Sequence, residues 1–326
     1  MFGRNSCGKY GEKGEESAWK AALPGREGAL PGGHRAYIIG PICAGADISG
    51  AQATAGDSGG TDMKRIVLGL VILFCAQAAA AQDWAKERLA KSPRHSEWVT
   101  VKHDGRAVES FVVYPEAKDK RPVVLVIHEI FGMTDWVQDL ADQVAEAGYI
   151  AIAPDLLSGM GPNSGRSSSF EQGNTNEAVS HLNPDQVTAD LNAAADYALK
   201  LPASNGKLFV GGFCWGGGQT FRFATNRGDL LGAFVFYGPP PDKDAMARIK
   251  APVYGFYGGN DARIGATIPD TVTAMKAAGK TYDPVSYDGA AHGFMRAGEA
   301  PDANDANKKA RSEAWERWKK LLGGGK

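Results

Sequence analysis

The sequence predicts an α/β fold, a doubly wound and mainly parallel sheet with helices on both faces. Three observations carry this expectation. From Trp98 onward, short apolar runs alternate with segments of helical period, the pattern of stacked strand and helix layers. Residues 122–128 are continuously apolar and β-branched, as a strand buried on both faces must be. Residues 207–210 read as a strand and run into Gly211-Gly212-Phe213-Cys214-Trp215-Gly216-Gly217-Gly218, after which residues 219–226 are amphipathic. That is a strand, a tight glycine-bounded turn and a helix, with a sulfur nucleophile at the turn.

The elements follow in order. Residues 84–96 read as a short, partly helical lead-in. Residues 98–103 and 107–114 alternate in polarity and flank Asp104-Gly105, a hairpin signal. After the central strand 122–128, residues 134–147 place Trp136, Val137, Leu140, Val144 and Ala147 on one helical stripe, which Gly148 ends. Residues 149–153 form the next buried strand. Residues 158–173, rich in Gly, Ser and Asn, are either a lid or a plain surface loop. A helix is expected over 187–201, strands over 207–211, 233–237 and 253–257, a helix over 271–278 stopped by Gly279, a last strand over 282–287, and a C-terminal helix over 305–322. No repeat divides residues 82–326, which read as one domain.

The turn at Cys214 carries the chemistry. A strand, a sharp turn bearing a nucleophile and a helix make the nucleophile elbow of an α/β-hydrolase. The helix N-terminus behind Cys214 is expected to lower the thiol pKa and favour the thiolate. Strand 253–257 leads into Gly258-Gly259-Asn260-Asp261, and strand 282–287 into Gly289-Ala290-Ala291-His292-Gly293. The chain order is therefore nucleophile, acid, histidine, as that fold requires. His292 can take the proton of Cys214, and Asp261 can orient and stabilise the imidazole. The backbone N–H groups of Trp215 and Ile130 are the expected oxyanion-hole donors, one following the nucleophile and one in the loop after strand 122–128. Glu129 stands at the carboxyl end of that same strand, where active sites of such sheets form. His128-Glu129 opens like the zinc signature H-E-x-x-H, but Gly132 occupies the second histidine's place, and no metal or cofactor is expected.

These residues resemble the dienelactone hydrolase (carboxymethylenebutenolidase) family. The matching pieces are Ile127-His128-Glu129-Ile130-Phe131-Gly132, Ala153-Pro154-Asp155-Leu156, the elbow at Cys214, Gly258-Gly259-Asn260-Asp261 and Ala291-His292-Gly293-Phe294-Met295-Arg296. The resemblance covers residues 97–322. It implies a Cys214–His292–Asp261 triad, with Glu129 holding the resting thiol and helping to activate it when substrate arrives. It also implies that Arg296 binds a substrate carboxylate; pairing with an acid such as Glu299 is the other reading of that arginine. The family's second carboxylate-binding arginine has no match: segment 158–185 holds only Arg166, in surroundings that differ.

Composition sets the remaining bounds. The chain has 326 residues, a formal net charge of −1 and 43% hydrophobic residues, an ordinary globular balance with no basic tract for nucleic acid. Met63-Lys64-Arg65, an apolar stretch over 66–74 and Ala78 to Ala81 have the form of a secretory signal. The apolar stretch is shorter than the roughly 20 residues that span a bilayer. Residues 63–81 are therefore expected to be a signal peptide, and residues 1–62 an over-extended or disordered N-terminal extension; an uncleaved membrane anchor is the competing reading. Export to the periplasm or beyond the cell follows, with no stable membrane association once the signal is removed. Cys7, Cys43 and Cys75 would be lost, leaving Cys214 as a lone free thiol.

Together these features predict a cysteine-dependent hydrolase of a small ester or lactone, working through an acyl-enzyme. The alternative is a non-catalytic or thiol-redox exported protein on the same fold. A redox role would call for a resolving cysteine, and residues 82–326 offer none.

Overall fold

In the computed structural model, which describes residues 82–171 and 174–323, the strands are β1 (Ser96–His103), β2 (Arg106–Val113), β3 (Arg121–Ile127), β4 (Ile150–Pro154), β5 (Ser204–Phe213), β6 (Leu230–Phe236), β7 (Val253–Gly258) and β8 (Tyr282–Tyr287). They form one sheet in the order β1-β2-β4-β3-β5-β6-β7-β8. The β1–β2 and β2–β4 pairs are antiparallel and every later pair is parallel. The extension expected over 1–62 and the signal expected over 63–81, with Cys7, Cys43 and Cys75, lie outside the described residues.

The main helices are α1 (Asp83–Ala90), α2 (Asp135–Glu146), α3 (Asn174–Ser180), α4 (Pro184–Leu199), α5 (Trp215–Asn226), α6 (Lys243–Met246), α7 (Ala262–Gly265), α8 (Ile268–Ala277), α9 (Phe294–Ala297) and α10 (Asp305–Gly323). Two apolar clusters, one on each face of the sheet, bury their stripes. Trp136, Val137 and Leu140 of α2 join Trp318 of α10 on one side; Val187 and Leu191 of α4 join Phe221 of α5 on the other. Trp318 sits edge-on to Phe213 and Phe236, at 6.0 and 5.0 Å between ring centroids, which locks α10 under the ends of β5 and β6. The doubly wound α/β fold expected from the sequence is the fold observed.

Local chemistry explains the boundaries. Asp104 and Gly105 both take positive φ, 45° and 75°, as a two-residue hairpin demands. Thr134 caps α2 by accepting from the Val137 N–H, and Asn183 caps α4 through Asp185 and Gln186. The expected helix over 219–226 starts earlier, at Trp215. Its glycines are poor helix formers in isolation, but close packing needs them: a Cβ on Gly216 would lie 2.3 Å from the His128 carbonyl oxygen.

Residues 158–171 are more ordered than a plain loop. They hold two short 3-10 turns, and α3, which the sequence pattern did not suggest, follows. The buried Asp155 carboxylate accepts from Leu157 N–H at 3.1 Å, Ser167 N–H at 3.0 Å and Ser167 hydroxyl at 2.6 Å. Ser167 Oγ in turn accepts from Met133 N–H at 3.0 Å. The segment is thereby pinned to the loop that follows β3.

Candidate active site

The expected site residues stand beyond the carboxyl ends of β3, β5, β7 and β8: Cys214 follows β5 directly, while Asp261 and His292 lie in the loops after β7 and β8. Cys214 lies between the last residue of β5 and the first of α5, with φ 56° and ψ −116°. A non-glycine residue held at positive φ is strained, and the surroundings must hold it there. The Cys214 N–H donates to Phe236 O at 3.0 Å, and the Cys214 carbonyl accepts from Gly217 N–H at 3.0 Å. Among the described residues Cys214 is the free cysteine, and it is partly buried.

Asp261 and His292 come together. His292 Nδ1 lies 2.5 Å from Asp261 Oδ2, while Asp261 Oδ1 accepts from the Ile264 N–H at 3.3 Å and caps α7. The acid is nearly fully buried and the imidazole about one-third exposed, at 5% and 32%. One carboxylate thus serves a helix end and a histidine, and the first bond helps to fix the direction of the second.

Glu129 and Arg296 form the second pairing. Glu129 is buried just past β3, and its Oε2 accepts from Arg296 Nε at 2.7 Å. The Tyr237 hydroxyl approaches Glu129 Oε1 at 3.4 Å. The guanidinium lies 5.0 Å from the ring centroid of Phe131. Glu299, the other partner considered for Arg296, is bound by Arg88 and Arg311 instead. Arg166 stacks on Trp98 of the edge strand β1, 3.5 Å from its centroid, and is engaged there.

Burial is the largest influence on the Cys214 thiol and, with the Glu129 charge, pushes its pKa above the ordinary value. The backbone N–H groups of Trp215 and Ile130 and the Arg263 charge pull the other way. The resting sulfur therefore favours the protonated form, the reverse of the thiolate expected from the helix N-terminus. Desolvation and a neighbouring carboxylate outweigh two N–H groups and the Arg263 charge. The backbone N–H groups of Trp215 and Ile130 thus both lie near the sulfur.

Among the described residues no hydrogen bond joins the Cys214 thiol to His292. Tyr237 packs beside the histidine: its ring lies edge-on to His292 at 5.0 Å, and its hydroxyl approaches Glu129. Burial and Glu129 raise its pKa well above the ordinary value. Sequence reasoning missed Tyr237, although it directly follows β6, as Glu129 closely follows β3. Its φ of 41°, unusual for a bulky residue, is a tertiary feature. Arg263 was also missed; it sits on the first turn of α7, two residues after Asp261. Among the described residues no cluster of three or more His, Cys, Asp or Glu side chains is placed to hold a metal ion.

Residues 108–324 match the model of the dienelactone hydrolase family. Several relatives carry the name "Putative carboxymethylenebutenolidase". The one from Methylorubrum extorquens is 37% identical over 53% of this chain, and the match spans 63% of that relative, less than two thirds of its length. The one from Saccharolobus solfataricus is 31% identical over 67% of this chain and 95% of its own length. The crystal structure of the "Putative Dienelactone Hydrolase" from Klebsiella pneumoniae superposes with a TM-score of 0.63 at 27% identity, covering 71% of this chain and 98% of that one.

Proposed function

The chain belongs to the dienelactone hydrolase family, and from that premise we propose that it hydrolyses a small ester or lactone through Cys214, His292 and Asp261. The His292–Asp261 bond at the ends of β7 and β8, in the chain order that follows a nucleophile elbow, is the observation that carries the reading. His292 takes the proton of the Cys214 thiol, and the thiolate adds to the substrate carbonyl carbon. The carbonyl oxygen takes the negative charge and accepts the Trp215 and Ile130 N–H groups. The C–O bond then breaks, and His292 returns a proton to the leaving oxygen. Water, deprotonated by His292, attacks the thioester and releases the acid and the thiol. Asp261 holds the imidazole tautomer and stabilises its cation.

Glu129 keeps the resting thiol protonated and, by the family resemblance, helps to deprotonate it once substrate is bound. Arg296 takes a carboxylate on the substrate. Among the described residues Glu129 engages its Nε, and a planar guanidinium has further N–H groups to offer an anion. We also propose that the protein is exported, from the signal-like pattern over 63–81. Among the described residues no helix is long and apolar enough to cross a membrane.

The test is stoichiometric alkylation of Cys214 beside a panel of aryl esters and lactones, on protein beginning at Met63. Loss of turnover in step with alkylation is expected. Alkylation of a protein that turns over nothing on the panel would move the reading to a binding protein.

A further inference from the structure

We propose that His128 is a positioning residue that sets the direction of the Ile130 N–H, one of the two backbone donors facing Cys214. The proposal rests on the reading of Cys214 as the nucleophile.

His128 follows β3 directly and is fully buried. A buried imidazole needs a partner at each nitrogen, and the two partners here dictate one tautomer. Nδ1 lies 2.7 Å from the Glu129 carbonyl oxygen, which can only accept, so Nδ1 carries the hydrogen. Nε2 receives the Leu156 N–H at 3.4 Å, so it is bare. Burial holds the imidazole pKa below its ordinary value, which keeps this neutral form at working pH.

The Glu129 carbonyl and the Ile130 N–H belong to one trans, planar peptide and point to opposite sides of it. Holding the oxygen therefore aims the N–H. The same oxygen accepts the Gly132 N–H at 3.1 Å, so the turn supplies one bond and the imidazole the other. The imidazole is itself held against the elbow. Its ring stacks on Trp215, with centroids 5.6 Å apart and planes within 15°, and its own carbonyl fills the space that a Cβ on Gly216 would need. One side chain thus touches both the peptide that carries the Ile130 donor and the residue that carries the other.

Three variants separate aiming from packing. His128→Asn keeps an N–H near the place of Nδ1, His128→Gln moves the amide toward the place of Nε2, and His128→Leu removes both. For each, kcat and KM are measured on a neutral aryl ester, with the pH dependence of Cys214 alkylation by iodoacetamide and the melting temperature. Complete loss of an oxyanion donor costs about a hundredfold or more in kcat. A donor that is misaimed but present should cost less, about tenfold to a hundredfold. His128→Leu is expected to lose that much in kcat, with little change in KM. Its alkylation profile should move to higher pH, because the thiolate loses a hydrogen bond. His128→Asn should recover most of both, and His128→Gln should resemble His128→Leu. If His128→Leu does not fold, the contrast between Asn and Gln decides.

Parental kcat and alkylation profile in His128→Leu, or equal losses in Asn and Gln that track melting temperature, would overturn the proposal. Hydrolysis by Cys214→Ala at the parental rate would instead sink the nucleophile reading. The alkylation profiles of the His128 variants need no turnover, so they report on the Ile130 donor separately.

Discussion

The Glu129 carboxylate and the Arg296 guanidinium are bound to each other at 2.7 Å, the acid 2% exposed and the base 27%. Two residues singled out for separate duties, one toward the thiol and one toward the substrate, share a single ion pair. A buried carboxylate without that partner would be costly. A substrate anion bound by the remaining N–H groups of that guanidinium would share its charge with Glu129, and so would couple binding to the charge beside the sulfur.

Arg296→Ala should weaken kcat/KM about tenfold to a hundredfold on carboxylate-bearing esters or lactones, mainly through KM, as loss of a charge-assisted bond of about 1.5–3 kcal/mol implies. Neutral aryl esters should lose much less, only the part that comes from leaving Glu129 without its partner. Arg296→Lys should recover part of the loss, since an ammonium lacks the planar fork. Equal damage to charged and neutral substrates would show that Arg296 is no carboxylate clamp.

Removing the Glu129 charge should lower the Cys214 pKa, because that charge is the second cause of its elevation after burial. In Glu129→Gln the rate of thiol alkylation should rise at a lower pH than in the parent. The folded protein holds the thiol proton more tightly than the unfolded chain. Folding stability should therefore fall as pH rises past the free-thiol value of about 8.5 and on through the raised folded pKa. Cys214→Ala should lack that alkaline loss. Chemical denaturation across the window, on parent and variant together, checks the sign.

Cys214→Ala should abolish hydrolysis with the fold intact, and Cys214→Ser should leave little activity. His292→Ala should be nearly as damaging and Asp261→Asn somewhat less so, since residues that act as a unit are not additive. Asp261→Ala should add a stability loss of about 1 kcal/mol beyond Asp261→Asn, because the Oδ1 cap on Ile264 is lost as well. Turnover by Cys214→Ala equal to the parent would refute the nucleophile assignment.

Protein recovered from the native host should begin near Gln82, after cleavage at the Ala-rich stretch that ends at Ala81. N-terminal sequencing of the mature protein reads this directly. A mature chain that retains residues 63–81 would favour the anchor reading.

The sheet was legible because its signals are local. The continuous apolar run over 122–128 and the Asp104-Gly105 turn need no knowledge of the rest of the chain, and β8 runs over Tyr282–Tyr287 as the pattern indicates. The early start of α5 was not legible, since three consecutive glycines, Gly216 to Gly218, become helical only where the strand ends demand close approach. Helix α3 and the Asp155–Ser167 network were hidden for a similar reason: a Ser- and Gly-rich segment gains order from a carboxylate that lies outside it.

The sequence by itself determined the fold class, the order of the candidate site residues and the strand end on which each stands. These follow from apolar periodicity and from turns that short segments specify. Tertiary structure alone decided which charges meet. It paired Glu129 with Arg296, set Tyr237 between Glu129 and His292, bound His128 to the peptide that carries Ile130, and made Cys214 a resting thiol. Burial and electrostatic neighbours depend on atoms more than a hundred positions apart in the case of Glu129 and Arg296. A local pattern carries no record of the distances between them, and those distances set the protonation of the sulfur.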